Sequence, residues 1–223
     1  MPKTIFITGG SSGIGAATAR AAADAGWNVA VMARSAERLA RLRDDLGGSV
    51  LIAAGDVTHE DDLRAAMDAA ATRFGAIDAV FANAGRGLGT PGTEAGSPDE
   101  WRALMEVNVM GVLLTARVAL PHLRRTKGTL VLTGSAAGKR HIAGSIYGAT
   151  KWFVHGYAGN MAEEMREWGG RCAVVAPGMV DTAFFDNGAP DKLQPADVAE
   201  AVMLIVNAPP RASIREVHLM PQN

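Results

Sequence analysis

Seven short runs rich in β-branched residues recur along the chain, and the stretches between them carry helical patterning. The runs are Thr4–Thr8, Asn28–Ala33, Val50–Gly55, Asp78–Asn83, Thr129–Thr133, Arg171–Ala176 and Glu216–Met220. Most are continuously apolar rather than alternating, as parallel strands covered on both faces must be. The helical stretches are Gly13–Ala25, Ala36–Leu46, Glu60–Phe74, Pro98–Arg125, Ile146–Trp168 and Pro195–Asn207. Strand and helix in repeated alternation predict an α/β fold, a doubly wound parallel sheet with helices on both faces. No internal repeat, low-complexity tract or long linker divides the 223 residues, so one domain spanning 1–223 is expected.

Charge and cysteine content exclude several function classes. A net charge of −1 and a pI near 6.5 give no electrostatic footprint for nucleic acid or an anionic membrane. The one cysteine, Cys172, sits in an apolar run, forms no internal disulfide and reads as an inert buried thiol. Lys3 leads straight into the first strand with no secretory signal, and no apolar run approaches the ~20 residues of a membrane helix. The cytoplasm is the expected location. His141, His155 and His218 have no companions at ligand spacing, so no metal site is expected.

The first strand runs into Thr8-Gly-Gly-Ser-Ser-Gly-Ile-Gly15, which opens a helix rich in small residues. Glycines at 9, 13 and 15 allow a tight turn and close backbone approach where free N–H groups and the helix dipole attract phosphate. Between a strand and a helix, such a loop predicts dinucleotide binding. The second strand ends at Ala33-Arg34, with no carboxylate for a ribose 2′-hydroxyl and a guanidinium suited to a 2′-phosphate. That favours NADP over NAD, unless Arg34 is simply a solvated strand-end charge. The fourth strand ends in Asn83-Ala84-Gly85, small residues suited to a flat ligand lying on the backbone.

Further along, Thr58 reads as an N-cap for the third helix. Ser97-Pro98-Asp99-Glu100 reads as a capping box opening a long helix. Its apolar face, Trp101, Leu104, Met105, Val109, Val112 and Leu113, also carries Asn108, either a local structural contact or part of a site. Ser135 follows the fifth strand, at the ligand side of such a sheet. Tyr147 and Lys151 lie one helical turn apart and open a stripe continued by Val154, Ala158, Met161 and Met165. A lysine on an inward face needs a partner, and a tyrosine beside a cation can work as a general acid or base.

Together these residues resemble the short-chain dehydrogenase/reductase family over essentially the whole chain. Thr8–Gly15, with Ser11, Ser12 and Ile14 inside it, is similar to the family's Thr-Gly-x-x-x-Gly-x-Gly cofactor loop. Asp56-Val57 resembles its adenine-contacting pair, Asn83-Ala84-Gly85 its Asn-Ala-Gly motif, and Pro177-Gly178 with Thr182 its nicotinamide-side motif. Asn108, Ser135, Tyr147 and Lys151 fall at its catalytic tetrad. The resemblance implies an NADP-dependent oxidoreductase interconverting a carbonyl and an alcohol. Tyr147 would move the proton and Ser135 would hold the substrate oxygen. Lys151 would bind the nicotinamide ribose and lower the Tyr147 pKa, and Asn108 would hold a relay water. Ser12 stands where many NADP members carry a basic residue, so the NADP reading rests on Arg34. The ending Arg215-Glu-Val-His-Leu-Met-Pro221 is most similar to the branch with 3-hydroxy acid and serine dehydrogenases and broad carbonyl reductases.

The substrate pocket is expected between Arg86–Thr90, Ala136–Ile142 and a substrate loop at 179–194. Phe184 and Phe185 are its covering candidates, Trp152 a lining or interface residue, and Arg86, Lys139, Arg140, His141 and Lys192 either carboxylate readers or solvated charges. By resemblance the two long helices would pair across a two-fold axis into a homodimer, which a further pairing would make a homotetramer. Two other readings compete: a catalytically silent dinucleotide-binding sensor or scaffold, and a sugar-nucleotide epimerase or dehydratase. The intact tetrad argues against the first, and the lack of a substrate domain after Met220 against the second.

Overall fold

The computed structural model describes residues 2–47, 50–90, 92–182, 184 and 190–222. Seven strands form one sheet: β1 (Thr4–Thr8), β2 (Asn28–Ala33), β3 (Val50–Ala54), β4 (Ala79–Ala82), β5 (Thr129–Thr133), β6 (Arg171–Pro177) and β7 (Glu216–Leu219). The order is β3-β2-β1-β4-β5-β6-β7 and every neighbouring pair is parallel. The helices are α1 (Gly13–Asp24), α2 (Ala36–Leu46), α3 (Glu60–Phe74), α4 (Pro98–Met105), α5 (Gly111–Thr126), α6 (Ile146–Arg166) and α7 (Pro195–Val206).

The alternation of side chains across each strand divides the core in two. Phe6, Met32, Val80, Leu130 and Val174 face α3, α5 and α6 through Leu63, Met67, Ala116, Leu123, Val154 and Met161. Ile5, Ile7, Val31, Phe81, Val131 and Val175 face α1, α2 and α7 through Ala19, Ala22, Leu39, Leu42, Val198 and Val202. Both faces of each central strand are thus buried, which is why those strands are apolar without interruption. The doubly wound sheet predicted from the sequence is the one observed. Strand order reverses between β1 and β4, and ligands of such sheets bind at the carboxyl ends beside that reversal.

Three local expectations are corrected. The single helix expected over Pro98–Arg125 is interrupted by a π turn at Glu106–Met110. The wider turn rotates the helix face. Met105, expected in the core, is 45% exposed, while Asn108 is 1% exposed. Ser97 precedes α4 as expected but makes no side-chain cap, and Glu100 does not close the box. The Glu100 carboxylate instead lies against Gly89, its Oε1 3.1 Å from where a Cβ there would stand. Thr58 does not cap α3. Its N–H and hydroxyl both donate to the Asp56 carboxylate, at 3.0 and 2.9 Å, and α3 starts after His59.

The Pro98–Thr126 stretch is also long and apolar enough, by length and composition, to cross a membrane, contrary to the sequence expectation. In the fold, Val112, Ala116, Ala119 and Leu123 of this stretch pack into the core beneath the sheet. Cys172 is buried as expected, and burial pushes its thiol up to about 12.

Candidate active site

The tips of β1 and β4 are tied by neutral dipoles. The Thr8 hydroxyl accepts from the backbone N–H of Asn83 at 3.1 Å and of Ala84 at 3.2 Å. In return the Asn83 amide donates to the carbonyls of Thr8 at 3.1 Å and Gly9 at 3.2 Å. Thr133 at the end of β5 donates to the Asn83 Oδ1 at 3.5 Å, so three strand tips share one side chain.

This packing leaves no room for a side chain at Gly9 or Gly15 in the loop above. A Cβ on Gly9, whose φ is +64°, would stand 2.8 Å from the Ala84 Cα, and one on Gly15 2.5 Å from the Gly9 carbonyl oxygen. The loop therefore lies flat on β4, and α1 begins at Gly13 with Ser12 making no side-chain cap. Its first N–H groups have no side-chain cap, which leaves them available to an anion. Thr182 stands across the loop mouth, its Cγ2 3.3 Å from the Cβ position of Gly13.

Arg34 is exposed at the tip of β2. Its field reaches Asp56: burial pushes that carboxyl up, but the Thr58 hydrogen bonds, Arg34 and His59 together bring it below its ordinary value. Val57 is buried beside it. Ser11, Ser12, Gly13, Ile14, Gly15, Arg34, Asp56, Val57, Asn83, Ala84 and Gly85 thus line one rim of the sheet. The residues present fit a dinucleotide: a glycine cradle, a helix N-terminus without a side-chain cap, and an exposed cation at the second strand.

On the other side of the reversal, α6 delivers Tyr147 and Lys151. Lys151 is 6% exposed, and its Nζ donates to the Thr133 carbonyl at 2.7 Å. That is the partner an inward-facing lysine requires. Burial brings its pKa down to about 8. Its Nζ lies 5.6 Å from the centre of the Tyr147 ring. Burial raises the Tyr147 phenol, and a hydrogen bond with the Ser135 side chain offsets part of that rise. The net direction is upward, against the expectation that the neighbouring cation would bring the phenol down.

Asn108 is fully engaged. Its Oδ1 accepts from the Arg86 N–H at 2.9 Å, and its Nδ2 donates to the Arg86 carbonyl at 3.0 Å and the Thr150 hydroxyl at 3.2 Å. Asn108 Oδ1 and Lys151 Nζ both face Gly85, at 3.5 and 3.9 Å from where its Cβ would be. Pro177 ends β6, and the Gly178 N–H donates to the Leu219 carbonyl at 2.8 Å. The structure therefore brings Asn108, Ser135, Tyr147 and Lys151 to one place, beside the loop and Thr182.

Phe184 packs against Tyr147 with ring centres 5.7 Å apart, and lies 3.1 Å from the Cβ position of Gly87. Phe185 lies outside the described residues. Below Phe184, Val180 and Leu193 pair at the base of the expected substrate loop. Among the pocket cations, Lys139 is paired with Glu216 at 2.7 Å, and His141 stacks on the half-exposed Trp152.

Sequence reasoning missed His155. One turn after Lys151, its Nε2 lies 3.2 Å from the Ser135 carbonyl and its Nδ1 3.7 Å from Glu216. The four-residue spacing from Lys151 was the available signal.

Fold and site define a dinucleotide-binding α/β protein with a tyrosine, a lysine and a serine at the reversal. Residues 3–192 match the family model for short chain dehydrogenases, and the chain belongs to that family of oxidoreductases. It is 32% identical to serine 3-dehydrogenase of Agrobacterium fabrum over 237 residues, covering 100% of this chain and 95% of the relative. Among solved structures, an alcohol dehydrogenase of the archaeon Thermococcus sibiricus complexed with 5-hydroxy-NADP superposes with TM-score 0.90. It is 31% identical and covers 100% of this chain and 97% of its own. The 3-ketoacyl-(acyl-carrier-protein) reductase of Brucella melitensis, complexed with NADH, gives TM-score 0.90 at 27% identity, with 97% and 96% covered.

Proposed function

We propose that this chain is an NADP-dependent oxidoreductase that interconverts a small carbonyl compound and its alcohol, with Tyr147 as the general acid/base. The observation that carries it is a buried Lys151 bonded to the Thr133 carbonyl at the tip of β5, with the Tyr147 ring 5.6 Å from its Nζ and Ser135 two residues beyond Thr133. Bound along the loop and strand tips, the nicotinamide dinucleotide supplies or accepts the hydride. Gly9, Ser11, Ser12, Gly13, Ile14, Gly15, Asp56, Val57, Asn83, Ala84, Gly85, Pro177, Gly178 and Thr182 would hold it, with Tyr147 and Lys151 at its reactive end.

The raised phenol suits the reducing direction, because Tyr147 stays protonated at neutral pH and has a proton to give to the substrate oxygen. Ser135 hydrogen-bonds that oxygen as negative charge develops on it. Lys151, titrating near 8, is mostly charged at pH 7 and supplies the positive field beneath the ring. Asn108 keeps the π turn and the Arg86 backbone in register, and its Oδ1 faces the same space as the Lys151 ammonium, where a relay water would sit. Phe184 covers the phenol from the solvent side.

In this reading 1–223 acts as one dinucleotide-binding unit with 179–194 as its substrate loop, in the cytoplasm, as a homodimer or homotetramer joined through the long helices. Arg34 supports NADP, as does the 5-hydroxy-NADP carried by the Thermococcus structure; the NADH in the Brucella structure keeps NAD possible as a second cofactor.

The test is oxidation of NADPH, with NADH alongside, across aldehydes, 1,2-diketones, 3-oxo esters and 3-oxo acids, and reduction of NADP with serine and 3-hydroxy acids. Turnover of some carbonyl with NADPH preferred is expected. Arg34→Asp should lower the NADPH-to-NADH preference ~10-fold or more, the worth of a charge-assisted phosphate contact. An unchanged ratio would remove the NADP assignment. Tight cofactor binding with no turnover anywhere would favour the sensor reading instead.

A further inference from the structure

We propose that His155 is a positioning residue for the reaction: it holds the turn that presents Ser135. The inference rests on the role given to Ser135 above. It starts from a match of two periodicities. Residues four apart on a helix lie one above the other, and residues two apart on a strand present their carbonyls in the same direction. Lys151 and His155 are such a pair on α6, and Thr133 and Ser135 such a pair where β5 leaves the sheet. Lys151 Nζ takes the Thr133 carbonyl at 2.7 Å, and His155 Nε2 meets the Ser135 carbonyl at 3.2 Å.

The turn is moulded on the imidazole. Ser135 starts a single 3-10 turn, Ala136–Gly138, and its side chain accepts from the Ala137 N–H at 3.1 Å. A Cβ on Gly134 would stand 2.8 Å from the His155 Nε2, and one on Gly138 2.6 Å from its Cδ2. The ring fills the space that side chains on either flank of Ser135 would need. The Ser135 carbonyl also accepts the Gly138 N–H that closes the turn, at 2.9 Å. Moving or removing the ring therefore releases the turn at its first residue.

The far side of the ring faces the last strand. His155 Nδ1 is buried without a hydrogen-bond partner, and Glu216 Oε1 lies 3.7 Å from it. The other Glu216 oxygen takes the Lys139 ammonium at 2.7 Å, and Lys139 directly follows the turn. Glu216 thus faces the turn at both ends. Both ring nitrogens look at oxygen acceptors, while a neutral imidazole has one N–H to give. Only the Ser135 carbonyl lies within hydrogen-bond reach, so the proton is assigned to Nε2.

The charged groups around the ring are Glu216 on β7, Lys139 after the turn and Lys151 on the same helix. Burial, the largest influence, and the two lysines lower the His155 pKa, against the pull of the Ser135 carbonyl and Glu216. The ring is neutral at pH 7 and donates once, to Ser135.

Two measurements test this. The first needs no substrate: 15N NMR of histidine-labelled wild-type protein at pH 7, with His155 assigned by the signals lost in His155→Gln. An Nε2–H tautomer with its proton protected from exchange is expected; an Nδ1–H tautomer, or a ring titrating as a free histidine, would overturn the proposal. The second is NADPH-dependent reduction of ethyl acetoacetate by His155→Leu, His155→Gln, Ser135→Ala and the Leu/Ala double variant.

Loss of the donor in His155→Leu should lower kcat ~10- to 100-fold, as a displaced catalytic group does, with the NADPH KM within about twofold. Glutamine, which can still donate to the carbonyl, should recover most of that loss. In the Ser135→Ala background the leucine substitution should add little, because the group it positions is gone. A folded His155→Leu protein with wild-type kcat would overturn the proposal. Full activity in Ser135→Ala would instead remove the role assigned to Ser135, while the NMR result would still decide where the His155 proton lies.

Discussion

At the tips of β1 and β4 the polar contacts run between neutral groups; at the exits of β5 and β6 most involve a side chain that can gain or lose a proton. Thr8 and Asn83 exchange four hydrogen bonds with backbone, and nothing in that set titrates near neutral pH. Across the reversal stand Tyr147, Lys151, His155, Glu216 and Lys139, and burial pushes the first three away from their charged forms. Fixed dipoles suit a rim that must only hold a dinucleotide, since they cost no reorganisation and do not change with pH. Chemistry that moves a proton needs groups with shifted pKa values, and these are held at a cost in stability.

Lys151→Met should sharpen this contrast most. Turnover should fall at least ~100-fold if the cation supports proton transfer, while the protein becomes more stable at neutral pH. A lysine held near 8 instead of 10.5 costs the folded state on the order of 3 kcal/mol at pH 7. The lost bond to the Thr133 carbonyl returns ~1 kcal/mol of that. Between about 8 and 10.5 the unfolded chain binds the proton and the folded one does not, so wild-type stability from this group rises with pH. The advantage of the methionine variant should shrink across that window and vanish above it. A variant less stable than wild type in urea at pH 7 would break the comparison.

Thr8→Val probes the other side with a smaller effect. It leaves the N–H groups of Asn83 and Ala84 without their acceptor and should cost ~1–3 kcal/mol. This loss should be the same at pH 6 and pH 9, because no partner titrates. A pH-dependent loss in the same denaturation series would show that the two rims are not electrically independent.

The sequence made the architecture plain because its signals are local. The uninterrupted apolar strands could only belong to a sheet covered on both faces, and the glycine loop and the Tyr147–Lys151 pair sit within single turns of the chain. What it hid depends on residues far apart in sequence. The π turn exists where Asn108 meets Arg86 and Thr150, so regular periodicity through Pro98–Arg125 misplaced Met105. The capping box expected at Ser97 does not form, and Glu100 lies instead against Gly89, a residue of another loop. His155 looked like a lone histidine because Glu216 reaches it only once β7 has joined the sheet. The raised Tyr147 pKa was equally invisible, since burial is a property of the packed site.

The most direct measurement is reduction of a carbonyl by NADPH in Tyr147→Phe beside wild type, with NADPH affinity determined on both proteins. The account predicts that turnover falls ~100-fold or more as the proton donor is lost, while NADPH affinity stays within about threefold. A phenylalanine variant that keeps its turnover would contradict it, and would place the proton transfer on another group.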